Sequence, residues 1–273
     1  MIRRLGCGCG ARMRQILCGL AAAIAMSGTT LRADDGKPLV IGGCKLAIVG
    51  TGVVSAVIDA RTVVLDASRE VRLTAIEVAA PRDDAARLTL DGLIGVPVVL
   101  RNLAPNTDRY GRSQAHIFAP GDGSERWVQS ELIARGEARV AARVGDRACA
   151  AELLSRERAA RDAKLGLWAE PYYAVKRAED PAAIAAERGR FAIIEGKVLS
   201  VRESGATIYV NFGRRWSQDF TVTLLKRNER SFAAAGLEPR RLEGRRVRVR
   251  GFVEERGGPW IEALRPEQFE IVE

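Results

Sequence analysis

Through most of its length the chain alternates apolar and polar residues at a period of two, the spacing of half-buried strands. Residues 47–50 and 53–58 are strand-like, a turn follows, and Thr62–Leu65 resumes the pattern. Residues 66–69 read as a second turn and 70–76 as a further strand. Pro81-Arg-Asp-Asp84 opens an amphipathic helix with Ala86, Leu90, Leu93 and Ile94 on its apolar side. Strands are expected over 96–103 and around His116, with a short helix over 127–134 stopped by Gly136. A longer helix is expected over 149–164, with Cys149, Leu153, Ala160 and Ala163 on one face. Short meandering strands with interposed helices point to a small barrel, not a parallel sheet.

After Trp168 the pattern is lost. Residues 174–189 are rich in charge and alanine, include Pro181, and read as a linker or short connecting helix between a block at 34–173 and one at 190–273. The second block predicts strands at 191–201, 206–212 and 219–225, a helix at 228–235, and strands at 245–254 and 259–263. Ile208, Val210 and Phe212 share one strand face, and Tyr209 and Asn211 the other. This order is that of an OB-fold. Phe191, Phe212, Phe220 and Phe252 are expected to fill it.

Composition changes the picture at the N-terminus. The 273-residue chain has a formal charge of +9, which invites a polyanionic partner. Residues 1–33, however, hold five arginines and no acid around an apolar run at 15–26, and end in Leu31-Arg32-Ala33. That is the form of a secretory signal, and a start at Met13 would make it more compact. The run is shorter than the roughly 20 residues of a membrane span, so no transmembrane segment is expected in the mature chain. Without residues 1–33 the charge is +4, from 38 basic and 34 acidic residues. Residues 34–189 hold 22 of each sign and residues 190–273 hold 16 basic and 12 acidic, so all of the net charge lies in the last block. Cys44 and Cys149 alone survive processing, and two cysteines in an exported chain are expected to pair. The expected location is periplasmic or secreted.

Four local patterns carry a family resemblance. They are Val57-Ile-Asp-Ala-Arg-Thr-Val63, Val71-Arg-Leu-Thr-Ala-Ile-Glu77, Asp108-Arg-Tyr-Gly-Arg112, and Glu157 to Arg161 followed by Gly166-Leu-Trp168. Over most of residues 46–173 the chain resembles the staphylococcal nuclease (thermonuclease) family. Together with Gly258-Pro-Trp-Ile-Glu262 and Pro266-Glu-Gln-Phe269, it is similar to bacterial two-domain members. The resemblance implies an α+β fold, mainly β: a five-stranded OB-type barrel with three helices, followed by a second small OB-like barrel.

Hydrolysing a phosphodiester requires charge neutralisation at the phosphorus, an oriented water and a hard cation. Guanidinium groups suit the first task; carboxylates suit the others, as base and as calcium ligands. By resemblance the catalytic arginines are Arg72 and Arg112. The carboxylates depart from the family. A ligand aspartate corresponds to Arg61, another corresponds to Glu77, and the glutamate base falls on Ala80 or Arg82. Asp83 or Asp84 would be the nearest substitutes. A permanent cation at a ligand position repels a metal, so Arg61 is expected to pair with Glu77 in the metal's place. The lone His116 and the lack of a Cys-x-x-Cys pair argue against zinc.

The second block supplies another expectation. Nine of the chain's 15 aromatics lie there, beside Arg214, Arg215, Lys226, Arg227, Arg240, Arg241, Arg245, Arg246, Arg248 and Arg250. Arginines track a phosphate backbone while exposed rings such as Tyr209 and Trp216 stack bases. The sequence therefore reads as an exported thermonuclease-like protein with a degenerate site. It needs no cofactor and binds single-stranded nucleic acid, another anionic ligand or a protein. The alternative is an active calcium-dependent endonuclease with a rearranged site.

Overall fold

The computed structural model describes residues 39–41, 43–79, 83–145 and 147–272; the expected export signal at residues 1–33 lies outside them. In chain order the first half contains β1 Leu39–Ile41, β2 Cys44–Asp59, β3 Thr62–Leu65, β4 Arg69–Leu73, β5 Ile76–Glu77, α1 Asp84–Asp91, β6 Pro97–Asn102, β7 Ser113–Pro120, β8 Glu125–Trp127, α2 Val128–Ala134, β9 Arg139–Val140 and α3 Arg147–Asp162. The second half contains β10 Lys176–Arg177, α4 Pro181–Ala185, β11 Phe191–Lys197, β12 Ser200–Ser204, β13 Thr207–Asn211, β14 Thr221–Leu225, α5 Glu229–Ala234, β15 Arg246–Phe252, β16 Glu254–Arg256, β17 Gly258–Glu262 and β18 Phe269–Ile271. No helix among the described residues is long and apolar enough to cross a membrane.

Five strands of the first half pair in a ring. β2 pairs with β3, β3 with β4, β4 with β7 in parallel, β7 with β6, and β6 returns to β2. Their inward residues, among them Val54, Val63, Leu65, Val71, Leu73, Leu100 and Ile117, join α1 and α2 in one core. The strand expected over residues 70–76 is broken at Ala75, whose φ of 69° ends the alternation and lets Ile76 and Glu77 turn to pair with β9. Two face assignments fail. Ile94 follows the end of α1 and is 52% exposed, and Ala163 lies one residue past α3 and is exposed. In both cases the helical period was extended beyond the helix.

Cys44 and Cys149 form a disulfide that ties β2 to α3 across 105 residues of sequence. At the far end of that helix Gly136 and Gly166 approach closely. A Cβ on Gly136 would lie 2.1 Å from the Leu165 carbonyl oxygen, and both glycines have positive φ. The contact seats Leu167 and Trp168 in the interior.

The second half has two sheets over one core. One is β10-β11-β15-β18, the other β12-β13-β14-β17-β16. Ala192, Ile194, Val247 and Val249 face inward with Ile208, Val210, Phe220, Val222 and Ile261. The segment expected as a linker carries β10, which pairs parallel with β11, and α4, whose Ile184 is buried in the same core.

Strand alternation puts Phe191, Ile193 and Glu195 of β11 on the opposite face from that core, opposite Phe252, Arg250 and Arg248 of β15. This face meets the first half. Phe191 and Ile193 pack with Ala160 and Trp168 instead of filling the second core, while Phe252 is 52% exposed. Residues 36–273 therefore form one compact unit with two cores.

Charged groups complete the contact. Glu157 of α3 and Arg250 of β15 are both fully buried and paired at 2.8 Å. Glu157 Oε1 also accepts the Val140 N–H at 2.7 Å, and Arg250 Nη1 donates to the Val140 carbonyl at 3.1 Å. Arg139 donates to the Phe191 carbonyl at 3.0 Å, and Glu267 accepts the Arg143 N–H at 2.7 Å.

Candidate functional site

Arg61, Arg72, Glu77 and Arg112 sit on adjacent strands and turns at one end of the strand ring. Arg61 lies in the β2–β3 turn, where its N–H is held by Asp59 Oδ1 at 2.7 Å. Its carbonyl accepts the Leu73 N–H at 2.8 Å, which fixes the turn against β4. Arg72 stands opposite Thr62 on β3 and Gln114 on β7. Val71 and Leu73 are buried in the core, so alternation places Arg72 half-buried on the outer face, not the inner one. Arg112 ends the turn that precedes β7. There Asp108 Oδ1 accepts the N–H groups of Tyr110 and Arg112, and Asp108 Oδ2 accepts Arg112 Nε at 2.7 Å.

Arg61 and Glu77 form an ion pair, with Arg61 also donating to the Ile76 carbonyl at 3.4 Å. Glu77 stands opposite Arg139 across the β5–β9 pair; burial pushes that guanidinium's pKa down and the charge of Glu77 opposes the shift. Sequence pattern did not single out Arg139, because its partner strand is only two residues long.

Two of the three cluster arginines are thus neutralised, Arg61 by Glu77 and Arg112 by Asp108. Hydrogen bonds from Arg112 and the backbone hold the Asp108 carboxyl below its ordinary range, although desolvation opposes this. Arg72 has no hydrogen bond or ion pair to another described residue. Burial, and then the charges of Arg61 and Arg112, push its pKa down, while Asp59 and Glu77 oppose the shift. A guanidinium held this way keeps its charge and its planar fork of donors, and is prepared for an oxyanion.

The remaining candidates lie elsewhere. Asp83 and Asp84 are at the start of α1, and neither side chain bonds to Arg72 or Arg112. Ala80 and Arg82, where the family's base would fall, lie outside the described residues. Among the described residues no group of three or more His, Cys, Asp or Glu could hold a metal ion. Trp216 is 72% exposed beside exposed Arg214 and Arg215, and Tyr209 is partly exposed on β13, with no ring contact between Tyr209 and Trp216 among the described residues.

Much of the basic stripe expected in the second half is occupied. Arg240 and Lys226 both bind Glu203, Arg241 binds Glu238, and Arg246 and Arg248 bind Glu195. Arg248 also pairs with Glu270, and Arg250 is buried against Glu157. Alternation with Val247 and Val249 made these arginines look solvent-facing, but Arg248 and Arg250 are buried, Arg250 against Glu157 of the first half, while Arg246 at the strand's start stays exposed.

His116 is structural. Its ring is fully buried, with Nε2 donating to the Val144 carbonyl at 2.8 Å and Nδ1 accepting the Trp127 indole N–H at 3.1 Å. Burial pushes its pKa from 6.5 to about 4, against the hydrogen bond to Val144. Below pH 6.5 the unfolded chain takes up a proton that the folded chain refuses. Stability is therefore full above pH 6.5 and falls as pH drops towards 4, by about 3 kcal/mol in all. Urea unfolding at pH 7.5 and 4.5 should show this slope in the natural chain and lose it in His116→Gln; identical slopes would reject the assignment.

No curated protein matches the chain. The match to a known family begins just before α1 and contains Arg112, whereas Arg61, Arg72 and Glu77 precede it: residues 82–170 match the family model described as staphylococcal nuclease homologue, and through this segment the chain is staphylococcal nuclease-like.

Proposed function

We propose that this is an exported staphylococcal nuclease-like protein that binds phosphate groups of nucleic acid at Arg72 and Arg112 without hydrolysing them. The observation that carries this reading is Arg72, without a hydrogen-bond or ion-pair partner among the described residues, beside an Arg61–Glu77 ion pair. A family calcium site would draw on the Glu77 carboxylate and a second carboxylate at position 61. Here Glu77 is engaged by the guanidinium that stands at that second position, so these residues do not fit a divalent cation. Of the two described carboxylates whose charge reaches Arg72, Glu77 is paired with Arg61 and Asp59 is held by the Arg61 N–H through Oδ1, so neither is set to activate a water. What is left is charge and hydrogen-bond recognition of a phosphate, without a nucleophile.

The paired ring of β2, β3, β4, β7 and β6 supports an OB-type barrel for the first half. The parallel β14–β17 pairing and the long β11–β12 run support an OB-like second half. The Cys44–Cys149 disulfide, together with the basic and apolar pattern of residues 1–33, supports a periplasmic or secreted location.

Purified chain without residues 1–33, incubated with single-stranded DNA and millimolar calcium, is expected to leave the DNA intact. It should bind a labelled oligonucleotide about tenfold more tightly than Arg72→Ala, the value of one charge-assisted contact. Chelator-sensitive cleavage that disappears in Arg112→Ala would establish the nuclease instead.

A further inference from the structure

A cleft of about 1220 Å³ opens between the two halves, walled by the 102–110 loop, α3, the end of α5 and the segment after Ala263. Arg109, Arg143, Arg147 and Arg265 line it, and all four are exposed. Arg109 donates to the Tyr110 hydroxyl at 2.6 Å and Arg143 to Gln114 Oε1 at 3.2 Å. The guanidiniums of Arg147 and Arg265 have no hydrogen-bond or ion-pair partner among the described residues. Among the described residues the lining has two carboxylates. Asp108 is bound by Arg112, and Glu267 accepts the N–H groups of Arg143 and Val144 at 2.7 and 3.3 Å. Elsewhere on the second half exposed Arg188, Arg240, Arg241 and Arg246 are each held by a glutamate. Exposed Arg214, Arg215, Arg227 and Arg245 have no ion-pair partner among the described residues, but they do not line this cleft. Among the described residues the cleft therefore keeps more guanidinium than carboxylate charge, four arginines against the one unpaired carboxylate of Glu267.

Its position links it to the arginine cluster. One loop serves both sites: Arg112 at its end belongs to the cluster, while Arg109 and Tyr110 line the cleft. The Tyr110 ring is 67% exposed, and the Arg109 and Arg112 guanidiniums lie 4.8 and 5.1 Å from its centre. Exposed Leu103 and the walls at Leu237 and Phe269 add apolar surface.

We propose that this cleft is a second anion site, and that it takes the continuing strand of a single-stranded nucleic acid whose phosphate is held at Arg72 and Arg112. The inference rests on the phosphate-binding reading of that cluster. Spaced guanidiniums suit successive phosphates, and the ring and leucine surfaces suit unpaired bases. A fully buried duplex is not accommodated by this chemistry, since stacking on Tyr110 needs a base free of its partner.

Fluorescence anisotropy with the whole mature chain tests it, using a thymidine dinucleotide and an oligothymidylate of about 15 nucleotides, near the upper footprint of a small barrel. The double variant Arg147→Ala/Arg265→Ala should bind the long strand about tenfold more weakly and the dinucleotide unchanged. Its log affinity against log salt should be shallower by about 1.4, the release expected for two lost phosphate contacts on a single strand. Arg72→Ala should weaken both lengths. A double variant that matches the natural chain on the long strand overturns the cleft and leaves the cluster standing. Loss in the double variant with no effect of Arg72→Ala overturns the cluster as the anchor. Equal displacement of the long strand by polyglutamate at the same charge concentration overturns nucleic acid in favour of an acidic peptide, and no binding of either length overturns both readings.

Discussion

Replacing Arg250 with methionine is expected to lower the unfolding free energy by about 3 kcal/mol, because it leaves the Glu157 carboxylate buried without its principal cation. Both side chains are fully buried, and among the described residues Glu157 keeps the Val140 N–H and an Arg161 guanidinium 3.8 Å away. Arg161 offsets part of the loss, which places the expected cost at the low end for a broken buried pair, about 3 kcal/mol. For a unit of this size that is a fall of roughly 6–12 °C in melting temperature. Adding Glu157→Gln should recover most of it, since the amide keeps an acceptor for Val140 and removes the stranded charge. The same variant separates two roles for Arg250. A surface arginine that tracks phosphate would change stability by less than about 0.5 kcal/mol while weakening nucleic-acid binding. Thermal melts of the single and double variants, with anisotropy alongside, distinguish these outcomes; an unchanged melt in Arg250→Met rejects the bolt between the halves.

Arg250 also shows where sequence pattern stops being informative. Arg246, Arg248 and Arg250 alternate with Val247 and Val249, so period two identifies the strand and its inner face correctly. The pattern does not say what covers the other face. That information lies in Glu157, in Glu195 and in Glu270, residues far apart in sequence that meet through tertiary packing. Phe191 and Phe252 fail to fill the second core for the same reason, since both lie on the β11–β15 face turned away from it. By contrast, the inward Ile208 and Val210 of β13 were legible, because alternation within one strand decides them. At the candidate site, the pairing of Arg61 with Glu77 was readable as a charge substitution at two positions that the family resemblance brings together. The cleft arginines were not readable, because Arg143, Arg147 and Arg265 come from separate elements and share no motif.

Reducing the Cys44–Cys149 bond is expected to cost about 4 kcal/mol, and replacing both cysteines with alanine more. The bond closes a loop spanning 105 positions, and its removal returns that loop's configurational freedom to the unfolded chain. Both half-cystines are buried, at 2% and 0% exposure, so the alanine pair adds a folded-state cavity cost that reduction of the intact cysteines does not. Reduction acts chiefly through the unfolded ensemble by releasing the closed loop, whereas Arg250→Met acts through the folded one. Cys149 and Glu157 are two turns apart on α3, about 12 Å along its axis, so their effects should add. Thermal melts with and without reductant should differ by roughly 8–16 °C. The penalty of Arg250→Met should be the same in either redox state, within about 0.5 kcal/mol. A melt indifferent to reductant would reject the disulfide as a source of stability. A strongly enlarged Arg250 penalty in the reduced chain would mean that α3 loosens when its N-terminal tether is cut, making the helix the shared support of the first core, the buried ion pair and the cationic cleft.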